Sequence, residues 1–314
     1  METNQTEWYI IVNPHAASGK AMSKWVPVER MLYSRHVSYS MAYTGHKRHA
    51  ELLAYEAARQ GYRHFLAVGG DGSAHETFNG LMKWCDESGT KPSEFVMGVI
   101  PIGSGNDWIK SLKLPKNPGI VTSNIASMHT VPLDIVRMDG ADGERSYMLN
   151  IGGIGFDSHV CQLVNLQKEQ GMRGRRIYLN ALIRVIKKIS PIKLSVKADG
   201  AEVFSGECYS VALGNGRYSG SGMLQVPDAV FDDGLIDYLI VPKIPIKLIL
   251  KSVPKLFNGK VNTVEQLIHG KARTLEFKPL ESLSADVFEA DGEIEGRLPL
   301  TVSITGDQMN VIGG

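Results

Sequence analysis

The stretch FLAVGGDGSAHETFNGL, residues Phe65–Leu81, runs an apolar segment straight into Gly-Gly-Asp-Gly and then into a helical pattern. Glycine tolerates positive φ and has no Cβ to hold a ligand away from its amide. A glycine-rich turn from strand to helix therefore presents backbone N–H groups, and the helix N-terminus adds partial positive charge. Two readings stay open on these residues alone. One is a phosphate-binding loop; the other is a tight turn closed by a capping box of Ser73 with Glu76. Asp71 bears on the choice, because a carboxylate repels phosphate unless a magnesium ion stands between them. The loop is neither G-x-G-x-x-G nor a P-loop. NPHAASGKA at 13–21 also fails as a Walker A motif, with Pro14 in the first glycine position and Ala21 after Lys20.

Outward from this turn, apolar runs at 8–13, 37–43, 65–70 and 95–100 alternate with helical patterns at 18–34, 46–60 and 73–84. Such alternation predicts a mostly parallel sheet covered by helices. Ligands of such sheets bind beyond the carboxyl ends of the strands. NPHAASGK, GGDGS and PIGSGND all fall there. Past Pro132 short strand patterns dominate (LSVKADG, CYSVALGN, LIDYLIV, TLEFKP, LTVSIT), with helical segments near 176–189 and 245–258. The reading is an α/β nucleotide-binding domain over 1–131 and a β-rich, sandwich-like domain over 132–314, the last strands returning to the first domain. With 314 residues and 43% hydrophobic content, the chain is long enough for two full cores. A net charge of +1 gives no global field to attract nucleic acid. Three separated cysteines suggest neither a disulfide framework nor a zinc site. The N-terminal residues lack the pattern of a secretory signal, and no apolar run reaches the roughly 18 residues of a membrane span. The expectation is a cytoplasmic protein, at most peripheral to a membrane.

GGDGSAHETFNGL resembles the G-G-D-G-T-x-N-E signature of the diacylglycerol kinase-type lipid kinases. GVIPIGSGNDWIKSL is similar to their I-P-x-G-T-x-N-D segment, and IIVNPHAASGK to their opening loop. LDIV (133–136), NIGGIGFD (150–157), PDAVFDDGLIDYLIV (227–241) and EADGE (289–293) follow in the family's order. G-G-D-G-T is shared with NAD kinases and phosphofructokinases, so the ordered set carries the resemblance.

What the resemblance implies is ATP- and Mg²⁺-dependent phosphorylation of a lipid hydroxyl, diacylglycerol or a related lipid. It assigns nucleotide contacts to Asn13, Thr44, Gly70, Asp71, Gly72, Ser73, Glu76 and Ser104. It makes Glu293 the general base, with Asp71 also catalytic and Asp291 orienting the loop or the base. It places a structural magnesium at the Asp233 carboxylate and the carbonyls of Phe231 and Leu235, linked through Asp134. Lys20 is either a phosphate-neutralising cation or an ordinary solvated lysine. Two basic amphipathic segments, RIYLNALIRVIKKI (176–189) and PKIPIKLILKSVPKLFNGK (242–260), either lie at an anionic membrane surface or cover a sheet with their lysines in water. A homodimer is compatible with the sequence. The competing functions are an NAD kinase-like phosphotransferase and a non-catalytic lipid- or nucleotide-binding protein.

Overall fold

The computed structural model describes residues 7–103, 105–141, 143–169, 181, 184–185, 190–281 and 286–314, without the side chains of 18, 168 and 169. It divides into two compact units: Met1–Asp134 with Asp307–Gly314, and Ile135–Gly306.

In the first unit the elements are β1 (Trp8–Val12), α1 (Ala16–Gly19), α2 (Ala21–Ser34), β2 (Tyr39–Tyr43), α3 (His49–Arg59), β3 (His64–Gly69), α4 (Asp71–Ser88), β4 (Val96–Pro101), α5 (Asp107–Ser111) and α6 (Pro118–Ala126). β2, β1, β3 and β4 lie side by side, all parallel. Their central members are continuous apolar runs because helices cover both faces, so no polar alternation is needed. Ile10, Ile11, Phe65 and Leu66 are fully buried, as are Trp25 of α2 and Phe78 of α4.

β5 (Thr130–Asp139) leads into the second unit. There follow β6 (Arg145–Met148), β7 (Ile151–Gly155), α7 (Phe156–Glu169), β8 (Ile192–Ala198), β9 (Ala201–Gly214), the short β10 (Tyr218–Ser219) and β11 (Met223–Leu224), and β12 (Ile236–Pro242). α8 (Ile246–Phe257), β13 (Ile268–Ala272), β14 (Thr274–Pro279), β15 (Val287–Ala290), β16 (Glu293–Arg297) and β17 (Leu300–Ile312) complete the chain. The sheet is antiparallel, and the long β9 is its hub. Its first half pairs with β8. Its second half lies between β7 and β12. β8 alternates buried and half-buried side chains, as a strand with one face on a core must. That core packs Leu194, Val196, Val211, Leu213, Phe277 and Phe288.

β17 begins beside β14 in the second unit and ends parallel to β4 in the first, which is the expected return of the last strand. Three features depart from the sequence reading. α4 starts at Asp71, two residues earlier than the expected 73. The helices α5, α6 and α7 had no counterpart among the expected helical segments, nor had the strands β5 to β7, β10, β11, β13, β15 and β16 among the expected strands. Of the segment 176–189, only residues 181, 184 and 185 are described, so its amphipathic reading lies outside the described residues.

Candidate active site

The first-unit residues gather at the carboxyl ends of β1, β3 and β4. The N–H of Asn13 donates to the carbonyl of Val68 (2.9 Å), holding the first loop on β3. Its side-chain amide donates to Ser73 Oγ (3.2 Å). Thr44 is buried, its N–H donating to the carbonyl of Val12 (2.9 Å). The loop after β4 is sewn to the Gly-Gly turn, since the N–H groups of Ile102 and Gly103 both donate to the carbonyl of Gly69 (2.7 and 3.0 Å). A Cβ on Gly103 would lie 2.6 Å from Gly70 Cα, so only two bare backbones can approach this closely. Asn106, in the left-handed region (φ 49°), returns its amide to the carbonyl of Gly103 (2.8 Å). Asp71 joins the starts of two helices, one carboxylate oxygen accepting the N–H of Trp108 (3.1 Å). Gly70 is the N-cap of α4 and Gly72 lies in its first turn. Asn13, Gly70, Asp71, Gly72 and Ser73 are thus brought together. Ser104 lies outside the described residues.

The expected capping box does not form. Ser73 sits inside α4, where its hydroxyl meets Asn13, and α4 has no side-chain cap. Glu76 instead accepts the N–H groups of Arg48 (2.9 Å) and Ala50 (3.1 Å), satisfying orphan donors at the start of α3. Lys20 is exposed. Lys24, one helical turn further on, is the lysine that reaches the site loops, with Nζ 3.5 Å from the carbonyl of Ile102. Asp134 is buried and accepts from Gln308 Nε2 (2.8 Å).

In the second unit, Glu293 opens β16 directly after a two-residue hairpin turn. Asp291 (φ 53°) and Gly292 (φ 88°) are both left-handed, as a type I′ turn requires. The Asp291 carboxylate accepts three backbone N–H groups, from Leu149 (2.9 Å), Asn150 (2.9 Å) and Ile151 (3.2 Å). Glu289 accepts the N–H of Gly292 (2.9 Å). Glu293 is therefore presented from a turn tied down on both sides.

The turn before β12 tests the magnesium expectation. Asp233 Oδ1 accepts the N–H of Leu235 (3.1 Å). Its Oδ2 lies 2.9 Å from Lys271 Nζ, which also pairs with Asp237 (3.1 Å). Burial raises the Asp237 pKa, with Lys271 opposing the shift. No group of three or more His, Cys, Asp or Glu side chains suited to a metal occurs among the described residues. The cation at this turn is an ammonium, and a magnesium ion at Phe231, Asp233 and Leu235 would have to displace it. The residues fit the ion poorly, and no step below runs through it.

One feature had no counterpart in the sequence reading. A largely apolar pocket of about 940 Å³, measured out to its open mouth, lies within the second unit. Its walls include Tyr209, Met223, Leu239, Ile249, Val253 and Leu256. Its polar wall is Asp157, which accepts hydrogen bonds from Ser210 Oγ and from Gln225 Nε2. Burial raises the Asp157 pKa, and these two hydrogen bonds oppose the rise. Ser210 was detectable as a polar interruption of CYSVALG; its partner Asp157, 53 positions away, was not.

The chain thus combines a parallel α/β unit that carries a glycine-lined strand-to-helix turn with an antiparallel β unit. The diacylglycerol kinase catalytic domain model matches residues 7–138, and the YegS C-terminal NAD kinase beta sandwich-like domain model matches 151–313. The chain belongs to this diacylglycerol kinase-like family of lipid kinases. It is 28% identical over 295 residues to a Xanthomonas campestris protein named "Probable lipid kinase YegS-like", covering 92% of this chain and 90% of that one. It is 25% identical over 303 residues to a Mycobacterium tuberculosis protein named "Diacylglycerol kinase", covering 96% and 93%. In fold it is similar to the crystal structure of a diacylglycerol kinase from Bacillus anthracis (TM-score 0.71, 21% identity, 100% of this chain and 98% of that one).

Proposed function

We propose that the chain transfers the γ-phosphoryl group of ATP to the hydroxyl of a lipid, diacylglycerol or a related alcohol. The observation that carries the nucleotide half is the contact of Gly70 with Gly103, which leaves a surface of backbone without Cβ atoms beside a helix N-terminus. Asn13, Thr44, Gly70, Gly72, Ser73, Glu76 and Ser104 are assigned to the nucleotide. Asp71 is the carboxylate that would face the magnesium ion accompanying ATP, an ion that offsets charge on the phosphate oxygens. Its oxygen donors suit that ion.

The lipid oxygen attacks the γ-phosphorus, the bond to the β-phosphate oxygen breaks, and ADP leaves. Glu293 takes the hydroxyl proton as the new P–O bond forms. The rigid turn under Glu293 suits that task, since a base must be positioned before its pKa matters. The pocket of the second unit is assigned to an acyl chain because its walls are largely apolar side chains.

The test incubates the protein with γ-labelled ATP and magnesium and offers diacylglycerol, phosphatidylglycerol, a sphingoid base and NAD as acceptors. A labelled lipid product is expected, and Glu293→Gln should lower turnover by about 10²–10⁴-fold with ATP binding retained. Labelled NAD alone overturns the lipid assignment. Turnover that survives Glu293→Gln overturns the base.

A further inference from the structure

The apolar arc of α8 is wider than the pocket that it covers. Ile249, Ser252, Val253 and Leu256 line the pocket. Ile246 sits at the pocket rim, and Leu250 and Phe257, at i, i+4 and i+11, continue the arc outward; the three are 42%, 51% and 56% exposed. At 3.6 residues per turn these three fall within about 40° of one another. The next row round the helix is basic: Lys247 and Lys251 are exposed, and neither has an ion-pair partner among the described residues. Lys255 donates to Thr263 (3.0 Å) and Lys243, just before the helix, pairs with Glu207 (2.7 Å). From Lys243 to Lys260 the chain holds five lysines and no acidic residue, in a protein of net charge +1.

We infer that α8 is the membrane-docking element of this protein and that its partner is the surface of an anionic bilayer. A water-facing helix that merely covered a sheet would not need Leu250 and Phe257 aligned outward, beyond the Ile246 rim of the pocket. An ammonium row along the edge of that strip supplies the matching charge for acidic headgroups. The same helix forms a wall of the apolar pocket, so docking brings the pocket to the surface from which an acyl chain must be drawn. The inference rests on the substrate being a lipid, but its binding step does not depend on catalysis. Among the described residues no helix is long and apolar enough to cross a membrane, so attachment through α8 is peripheral.

The experiment is co-sedimentation of the full chain with vesicles of phosphatidylcholine alone and of equal parts phosphatidylcholine and phosphatidylglycerol. Turnover of a short-chain, water-dispersed diacylglycerol is measured in parallel. Wild type should pellet with the anionic vesicles only, and less as salt rises. Lys247→Glu with Lys251→Glu, and separately Leu250→Glu with Phe257→Glu, should each weaken that binding by about 10-fold or more. Both variants should melt with wild type, because the altered side chains are exposed, and should keep turnover of the dispersed lipid. Equal binding of wild type and both variants overturns the inference. So does a wild-type dimer in sedimentation velocity that Leu250→Glu dissociates, which would make a second copy the occupant. Vesicle binding without any lipid turnover leaves docking standing and removes the kinase reading instead.

Discussion

Replacing Gly103 by alanine tests the central geometric claim about the first unit. The added Cβ would meet Gly70 Cα at 2.6 Å and Asn106 Oδ1 at 2.8 Å. Ordinary contact starts at 3.4 Å, so the two loops must part by about 0.8 Å. The neighbour is backbone and cannot swing aside as a side chain would. Overpacking of this kind costs about 1–3 kcal/mol. At about 2–4 °C per kcal/mol for a chain of this class, melting should fall by about 2–12 °C. The functional loss should be larger than the stability loss suggests. A misplacement approaching 1 Å in a site that positions a reacting group costs about 10²-fold in rate. Differential scanning fluorimetry reads the first effect, and ATP titration with single-turnover phosphorylation reads the second. Gly45→Ala is the control: its Cβ would have a single neighbour, His49 Nδ1 at 3.7 Å, and stability should move by less than about 0.5 kcal/mol. If Gly103→Ala melts with wild type and binds ATP as tightly, the loops do not depend on that close approach and the phosphate-cradle argument fails.

Asp291→Ala strands three backbone donors and should destabilise the second unit by about 3–5 kcal/mol in urea unfolding, with Asp291→Asn milder because one acceptor oxygen remains. Equal midpoints for Asp291→Ala and wild type would show that the turn does not need its carboxylate. Burial pushes the thiols of Cys85 and Cys208 up to about 12, against about 8.5 in the unfolded chain. A pKa raised by folding contributes stability that is whole below about pH 8.5 and fades as pH climbs toward 12, at up to about 1.4 kcal/mol per pH unit for each thiol. The Cys85→Ala, Cys208→Ala double variant should therefore lose less stability than wild type between pH 9 and 11, roughly the window between those values; parallel pH profiles would count against the assignment. Without nucleotide, the melting temperature of wild type should be unmoved by magnesium or EDTA, because Lys271 already supplies the cation at Asp233 and Asp237. Lys271→Met should melt lower and recover with magnesium. A magnesium response in wild type would restore the ion to that turn.

The α/β unit was legible because its central strands are buried on both faces. β1, β3 and β4 need unbroken apolar runs, and those are visible without partners. β7 was not legible as a strand. Its sequence, IGGIG, has poor intrinsic strand preference, and pairing with β9 and β15 decides its conformation. The capping box of Ser73 and Glu76 shows a different failure. The local pattern is correct, but each group found a partner far along the chain: Ser73 lies 60 positions from Asn13, and Glu76 lies 28 from Arg48. A short-range rule cannot weigh an offer made from another element. Lys20 and Lys24 differ by one helical turn, so the sequence names the right face of α2 but not the lysine that reaches Ile102. EADGE was recognisable as a motif, yet what its aspartate does is visible only in space, where it gathers three N–H groups about 140 positions upstream. The motif letters thus mark two kinds of residue, those assigned to substrate and those that hold the first kind still. Asp291 is of the second kind by its contacts. The resemblance offered two roles for it, orienting the loop or orienting the base, and these hydrogen bonds favour the loop that presents Glu293.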